Sequence, residues 1–231
     1  MASKSLARVK TTLKESARFV LFLFQILLFM LVLYRVVPVP ITPLMVIRAT
    51  SIDKHWVRLD QISPNAIKAA ITSEDPKFNQ HYGFDFGAIK ESIDNKLEKG
   101  KKLRGGSTIS QQTAKNLFLW PQRSWVRKGL EVPITLLMEG LWTKRRIMEV
   151  YLNIIEMGDG IYGIEAASRT YFKKPAAKMN KAEATLLIVC FPNPRRWTPL
   201  KATAFIKKKQ ARIQKWMTGF EAYPEWWFEE E

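Results

Sequence analysis

The chain has 231 residues, with 37 Lys plus Arg against 21 Asp plus Glu and a formal charge of +16. A hydrophobic share of 47% excludes a disordered basic tail and leaves enough chain for one domain with an attachment segment. The single Cys190 excludes an internal disulfide, two histidines (His55 and His81) argue against a Cys/His zinc site, and the cation excess predicts a polyanionic partner.

The first predicted element is a helix over Phe19–Val37, apolar apart from Gln25, Tyr34 and Arg35. At 1.5 Å per residue it covers roughly 28 Å, the thickness of a bilayer's hydrocarbon. Lys4, Arg8, Lys10, Lys14 and Arg18 precede it against one Glu15, which predicts a cytoplasmic N-terminus and an extracytoplasmic remainder. A cleaved signal peptide is the rival reading, but the apolar run is long and no small-x-small site follows. Residues 1–18 thus read as a basic tail, 19–37 as an anchor, 38–60 as a membrane-proximal linker and 61–231 as the main domain. Because the first 37 residues hold +5 of the charge, the remainder carries +11. Outside the cytoplasm that charge favours acidic headgroups or a phosphorylated lipid over nucleic acid.

Beyond Leu44 the pattern is mostly helical, and the expected class is all-α. Ser63-Pro64 opens a helix whose inner face is Ile67, Ala70 and Ile71, ending near Ser73 because Pro76 pushes Asp75 out of the α region. The Glu98–Gly106 stretch, EKGKKLRGG, reads as a charged loop. A second helix opens at Ser107 or Thr108. A third holds Ile134, Leu137, Met138 and Leu141, with Pro133 expected in its first turn or at a kink. Thr143 caps a fourth, with Ile147, Val150, Tyr151 and Ile154 inward. Lys181–Val189 and Thr203–Met217 are the last two.

Glu74 is the first chemical candidate. At the C-terminal end of the Ser63 helix, leaning over an apolar face, its carboxyl is expected to titrate high enough to act as a general base. A solvated Glu-Asp pair fits the same placement. In GGSTISQQTAKN, Gly105–Asn116, two glycines feed a hydroxyl cap whose amides could hold an anion. Thr108, Gln111, Gln112 and Lys115 recur at i, i+3, i+4 and i+7, a polar stripe suited to a wet cleft or to an ordinary surface helix. No Gly-Lys-Ser/Thr follows at Walker spacing. Arg123, Arg127 and Lys128 join Lys115 as cations suited to a pyrophosphate. Glu131, Lys144, Glu149, Tyr151 and Asn153 are polar groups among apolar neighbours that could equally be structural. Lys207, Lys208 and Lys209 read as a solvated helix face. The Trp226-Trp227-Phe228 tail fits either packing or an interfacial contact.

Together these segments resemble the peptidoglycan glycosyltransferases, and specifically the monofunctional biosynthetic peptidoglycan transglycosylases. SEDPKFNQHYGFD (Ser73–Asp85) is similar to the family's first motif and Gly105–Asn116 to its second. RKGLE (Arg127–Glu131), KRRIMEVYLN (Lys144–Asn153) and GIEAASRTYF (Gly163–Phe172) resemble the third to fifth, in order, across about Ser63 to Pro199. The resemblance implies a lysozyme-like domain that polymerises lipid II into β-1,4 glycan strands, with inversion and release of undecaprenyl pyrophosphate. It implies that Glu74 is the catalytic base and Glu131 a second acidic residue of the cleft. Lys115 and Arg123 correspond to pyrophosphate-binding positions, Ser107, Thr108, Gln111 and Gln112 to the same site, and Arg127 and Lys128 to motif cations.

The implied partners are lipid II, the growing strand, membrane lipids and other wall-synthesis or division proteins, with no nucleic acid. The implied place is the inner membrane, single-pass, with the catalytic domain periplasmic. No cofactor is required; a divalent cation (Mg2+ or Mn2+) on the pyrophosphate is compatible with the chemistry. Because the sequence ends at Glu231, no transpeptidase domain is expected. Pro133, just after Glu131, departs from the family pattern. A lysozyme-like glycan-cleaving enzyme and a non-catalytic membrane adaptor are the competing readings. The cation cluster argues against the first, since cleavage leaves no pyrophosphate to stabilise.

Overall fold

The computed structural model describes residues 2–48, 51–99 and 106–219. Lys101, Lys102 and Arg104 of the charged Glu98–Gly106 stretch, which could hold a membrane surface or be a solvated turn, and the Trp226-Trp227-Phe228 tail lie outside the described residues. The chain divides into two compact units, Met1–Pro38 and Val39–Glu231.

The first unit is one helix, α1 (Ala2–Tyr34), of 33 residues and so about 50 Å long. The helix includes the basic segment ahead of the apolar run. Within it, Lys10–Tyr34 is long and apolar enough to cross a membrane by length and composition.

In the second unit α2 (Pro43–Arg48) precedes α3 (Pro64–Glu74). Ser63 caps α3, its Oγ accepting from the Asn65 amide, and Pro64 takes the first helical position. A helix absent from the sequence reading follows, α4 (Phe86–Lys99), opened by the Asp85 carboxylate, which accepts from the Ala88 amide at 2.9 Å. Glu98 and Lys99 are therefore helical rather than loop. The apolar residues of α4, Phe86, Ile89, Ile93 and Leu97, recur at i, i+3, i+7 and i+11, a helical spacing present in the sequence although Phe86, Ile93 and Leu97 stay exposed.

Then come α5 (Ile109–Phe118), α6 (Trp125–Leu141) and α7 (Lys144–Ile154). Pro133 is not in the first turn: it is the ninth residue of the 17-residue α6. The chain continues through α8 (Ile164–Phe172), α9 (Lys181–Val189) and α10 (Ala204–Thr218). Among the described residues helix accounts for 69% and strand for 3%. The strand is a small sheet, β1 (Asp53–Lys54), β2 (Glu156–Gly158) and β3 (Ile161–Tyr162), in the order β1-β3-β2. β1 pairs parallel to β3, and β2 antiparallel. Gly163, at φ +82°, turns the chain from β3 into α8 with its α-carbon against the Asn153 carbonyl, where only a glycine fits.

Two helix groups form the core. α3, α9 and α10 pack together, and α5 packs on α6 and α7. Ile67, Ala70 and Ile71 of α3, Ile188 of α9 and Ile206 and Ile213 of α10 are buried in the first group; Ile109, Met138, Ile147 and Tyr151 are buried in the second. Each such side chain withdrawn from water contributes about 1.5–3 kcal/mol. The Asp75 carboxylate ties α3 to α5, accepting from the Ile109 amide at 3.0 Å. It also meets His81 Nε2 at 3.0 Å. That clamp fixes the end of α3, and hence Glu74, against the start of α5.

Candidate active site

Glu74 stands at the junction of the two groups. Its Oε2 accepts from Gln112 Nε2 at 3.2 Å, and its Oε1 accepts from its neighbour Ser73 at 3.2 Å. The Tyr151 hydroxyl donates to Gln112 Oε1 at 3.4 Å and so turns the amide nitrogen toward Glu74. Part of Glu74 remains open to a hollow, but protein surrounds it, and this burial raises its pKa above the ordinary carboxylate value. The hydrogen bonds from Gln112 and Ser73, then the charges of Lys209 and Lys115, oppose the rise. The direction is the one expected from sequence; burial is its largest cause.

One hollow of about 240 Å³ collects the cations. Lys115, Arg123 and Arg127 line it, with Gln112, and Arg48 at the end of α2 is a further cation not picked out from sequence. Burial lowers the Lys115 pKa; the Glu131 charge opposes this, and Arg127, Lys128 and Arg48 reinforce it. Arg48 Nη1 meets Glu156 Oε2 at 2.6 Å, and Arg195 Nε meets the other oxygen of that carboxylate at 2.6 Å.

Glu131 is 2% exposed and lies between two cations of its own helix. Arg127 Nη1 reaches it at 3.0 Å and Lys128 Nζ at 2.5 Å. Arg127 also donates from Nε to the Gln122 carbonyl at 3.0 Å, so its guanidinium is held from both ends. Lys128 extends to Ser107 Oγ at 3.5 Å.

The predicted polar stripe on α5 divides. Gln112 and Lys115 face the hollow. Thr108 and Gln111 are buried and form a reciprocal cap: the Gln111 amide donates to Thr108 Oγ1 at 3.2 Å, and the Thr108 amide donates to Gln111 Oε1 at 3.1 Å. Thr108 Oγ1 further donates to the Gly83 carbonyl at 2.6 Å. The anion held at the start of α5 is the Asp75 carboxylate, a partner within the chain rather than a substrate.

Of the polar residues singled out on α7, Lys144, Glu149 and Asn153 make structural contacts, whereas Tyr151 reaches Gln112. Glu149 accepts from the Leu59 amide at 2.9 Å, and Asn153 exchanges hydrogen bonds with Val57 at 2.9 and 2.8 Å. Lys144 pairs with Glu139 at 2.7 Å. The reading of Lys207–Lys209 as a solvated face holds for Lys207 and Lys208, which are exposed; Lys209 is half-buried and, with Lys208, lines a second hollow that contains Glu74. Helical periodicity marks the face on which Lys209 lies, but only the packing of α10 on α3 brings it to Glu74.

A divalent cation fits poorly as a resident of the first hollow. Four cationic side chains line it, and its Glu156 already binds two arginines. Among the described residues no group of three or more His, Cys, Asp or Glu could hold a metal ion.

Residues 42–218 match the transglycosylase family model, whose domain is lysozyme-like. Three similar proteins carry the name biosynthetic peptidoglycan transglycosylase. The one from Rhodospirillum centenum is 52% identical over 187 residues, covering 79% of this chain and 80% of that protein. The one from Bdellovibrio bacteriovorus is 49% identical over 217 residues, 90% and 86% of the two chains. The Escherichia coli protein is 47% identical over 192 residues, 79% of each. A carboxylate with a raised pKa, a nest of cations beside it and relatedness over most of its length place this chain in the transglycosylase family.

Proposed function

We propose that the chain is a peptidoglycan glycosyltransferase that joins lipid II units into β-1,4 glycan strands. The observation that carries this reading is Gln112, which binds Glu74 and lines the hollow that holds Lys115, so that a base and a cation nest serve one reaction. The acceptor's 4-hydroxyl gives its proton to Glu74 as its oxygen bonds to the donor's anomeric carbon. The bond from that carbon to the pyrophosphate breaks, and the pyrophosphate leaves with the electron pair. A single displacement converts an α-linked donor to a β-linked product. Lys115, Arg123, Arg127 and Arg48 stabilise the departing charge. Glu131 acts by holding Arg127 and Lys128, a positioning role. Any divalent cation arrives with the pyrophosphate as part of the substrate.

Such a substrate keeps its polyprenyl tail in a bilayer, and α1 supplies the anchor. By the excess of cations before the apolar run, the N-terminus is cytoplasmic and the catalytic unit lies on the outer face of the inner membrane. Exposed apolar side chains support contact with lipid: Phe86 is 76% exposed, Trp125 92%, and Leu97 and Val126 lie open as well. Other proteins of wall synthesis or division are proposed neighbours on the same membrane.

The test is polymer analysis after supplying purified lipid II to the membrane-bound protein, beside its Glu74→Gln variant and a parallel incubation with finished glycan. New polymer from the parent and none from the variant is expected. Shortened glycan without polymerisation would establish the cleaving alternative. Full function of Glu74→Gln would leave only an adaptor.

A further inference from the structure

α2 is six residues long and brings its last residue, Arg48, into the cation hollow. So short a helix does not hold its own shape in water, and tertiary contacts must set its place. Thr42, Leu44 and Met45 are buried, and α2 packs on α5, the helix that carries Lys115. Ahead of α2, Lys54 Nζ donates to the Val39 carbonyl at 2.5 Å.

A closed ring of contacts fixes the far end of α2. Arg195, in the turn after α9, donates from Nη2 to the Arg48 carbonyl at 2.8 Å. Its Nε meets one oxygen of Glu156 at 2.6 Å, and Arg48 Nη1 meets the other at 2.6 Å. Arg195 therefore grips Arg48 twice, once at the backbone and once at the guanidinium through Glu156. Asp159 Oδ1, 3.1 Å from Arg195 Nη2, holds that guanidinium from a further side. Glu156 is 4% exposed and stands on β2 opposite the buried Tyr162 of β3, a firm base for its carboxylate.

A carboxylate so buried is costly unless paired, and here two arginines share it, leaving the trio with a net positive charge. Arg48 and Glu156 line the hollow beside Lys115, whereas Arg195 stands behind that wall. A guanidinium has five N–H donors, so Arg48 can bind Glu156 and still offer others to a phosphate. Donors fixed in advance need no reorganisation as charge develops on a leaving group.

Resting on the glycosyltransferase reading, we propose that Arg195 and Glu156 are positioning residues that aim Arg48 at the departing pyrophosphate. The membrane-proximal segment is thereby one wall of the phosphate site and more than a linker.

Binding of a short-chain prenyl pyrophosphate to the full chain in detergent micelles, measured by calorimetry, tests this independently of polymerisation. Arg48→Gln and Arg195→Gln are each expected to weaken binding about three- to tenfold. The double variant should bind no more weakly than Arg48→Gln alone, because Arg195 acts through Arg48. Glu156→Gln separates the brace from simple charge. Removing a negative charge from an anion-binding hollow would by itself tighten binding, whereas loss of the brace weakens it about threefold or more. Parental or tighter binding in Glu156→Gln would overturn the proposal. So would parental binding in Arg195→Gln, or a further loss when Arg195→Gln is added to Arg48→Gln. Thermal melting checks that each variant is folded at the assay temperature. Should Arg195→Gln fail that check, Arg195→Lys, which keeps a cation beside Glu156 but loses the guanidinium fork, takes its place; it too should bind more weakly, and parental affinity would overturn the brace. The expected binding losses, with no polymer from the parent supplied with lipid II, would instead overturn the glycosyltransferase reading and leave the brace as part of a pyrophosphate site.

Discussion

Glu74 Oε2 accepts a hydrogen bond from Gln112 Nε2 at 3.2 Å, so the carboxylate that ends α3 is held by the helix carrying Lys115. Hydrogen bonding favours the charged carboxylate and offsets part of the rise that burial causes. Gln112→Ala therefore raises the Glu74 pKa further. The acid limb of kcat/KM against pH is expected to move to higher pH; an unmoved limb would remove Gln112 from the tuning of the base.

Glu74→Gln removes the proton acceptor, and polymerisation should fall by about 10²–10⁴-fold or more. Stability should change in the opposite direction. The folded-state pKa of Glu74 lies above its unfolded value, so its charged form opposes folding. The stability it contributes is fully present below the unfolded pKa, near 4.3, and is lost as pH rises through the folded value. The Gln variant should thus melt above the parent at pH 7, and the gap should close at acid pH. Paired thermal melts at the two pH values check it.

Lys115→Ala should lower kcat/KM for lipid II by about 10- to 100-fold, in line with roughly 1.5–3 kcal/mol for a hydrogen bond to a charged group. Arg48→Gln is expected to act in the same direction, since Arg48 lines the same hollow. Steady-state kinetics with lipid II decide both. Wild-type kinetics in Arg48→Gln would exclude it from the pyrophosphate site.

Glu131→Ala leaves Arg127 without its carboxylate in a buried position, and loss of one partner from such a pair costs about 3–5 kcal/mol. A marked fall in melting temperature together with loss of turnover is expected. Glu131→Gln, which retains hydrogen-bond acceptance without charge, should recover part of the stability. Full stability of the Ala variant would show that the pair holds nothing in place.

Gly163→Ala should destabilise the domain by more than about 1 kcal/mol. Its β-carbon would lie 2.6 Å from the Asn153 carbonyl oxygen on a backbone at φ +82°. Denaturant unfolding measures the effect.

Much of the helical frame was legible because its signals are local. Ser63, Thr108, Thr143 and Thr203 each cap a helix through a side-chain oxygen bound to a nearby amide, and the spacing of Ile147, Val150, Tyr151 and Ile154 gives the inner face of α7. α4 carries a local signal of the same kind, Phe86, Ile89, Ile93 and Leu97 at helical spacing, thinned by the charged residues between them. Pro133 lies beyond the first turn of α6, since a proline inside a helix removes one hydrogen bond without having to end the helix.

By itself, then, the amino-acid order determined the long apolar helix, the capped helices and the identity of Glu74, Lys115 and the other motif residues. All of these depend on neighbours within a few positions or on matching residue types. The tertiary structure alone decided that the Asp75 carboxylate takes the Ile109 amide at the start of α5, that Arg48 from α2 joins Lys115, and that Lys209 stands near Glu74. The physical reason is reach: desolvation and charge act across a few ångströms of space, and only folding brings distant segments within that distance.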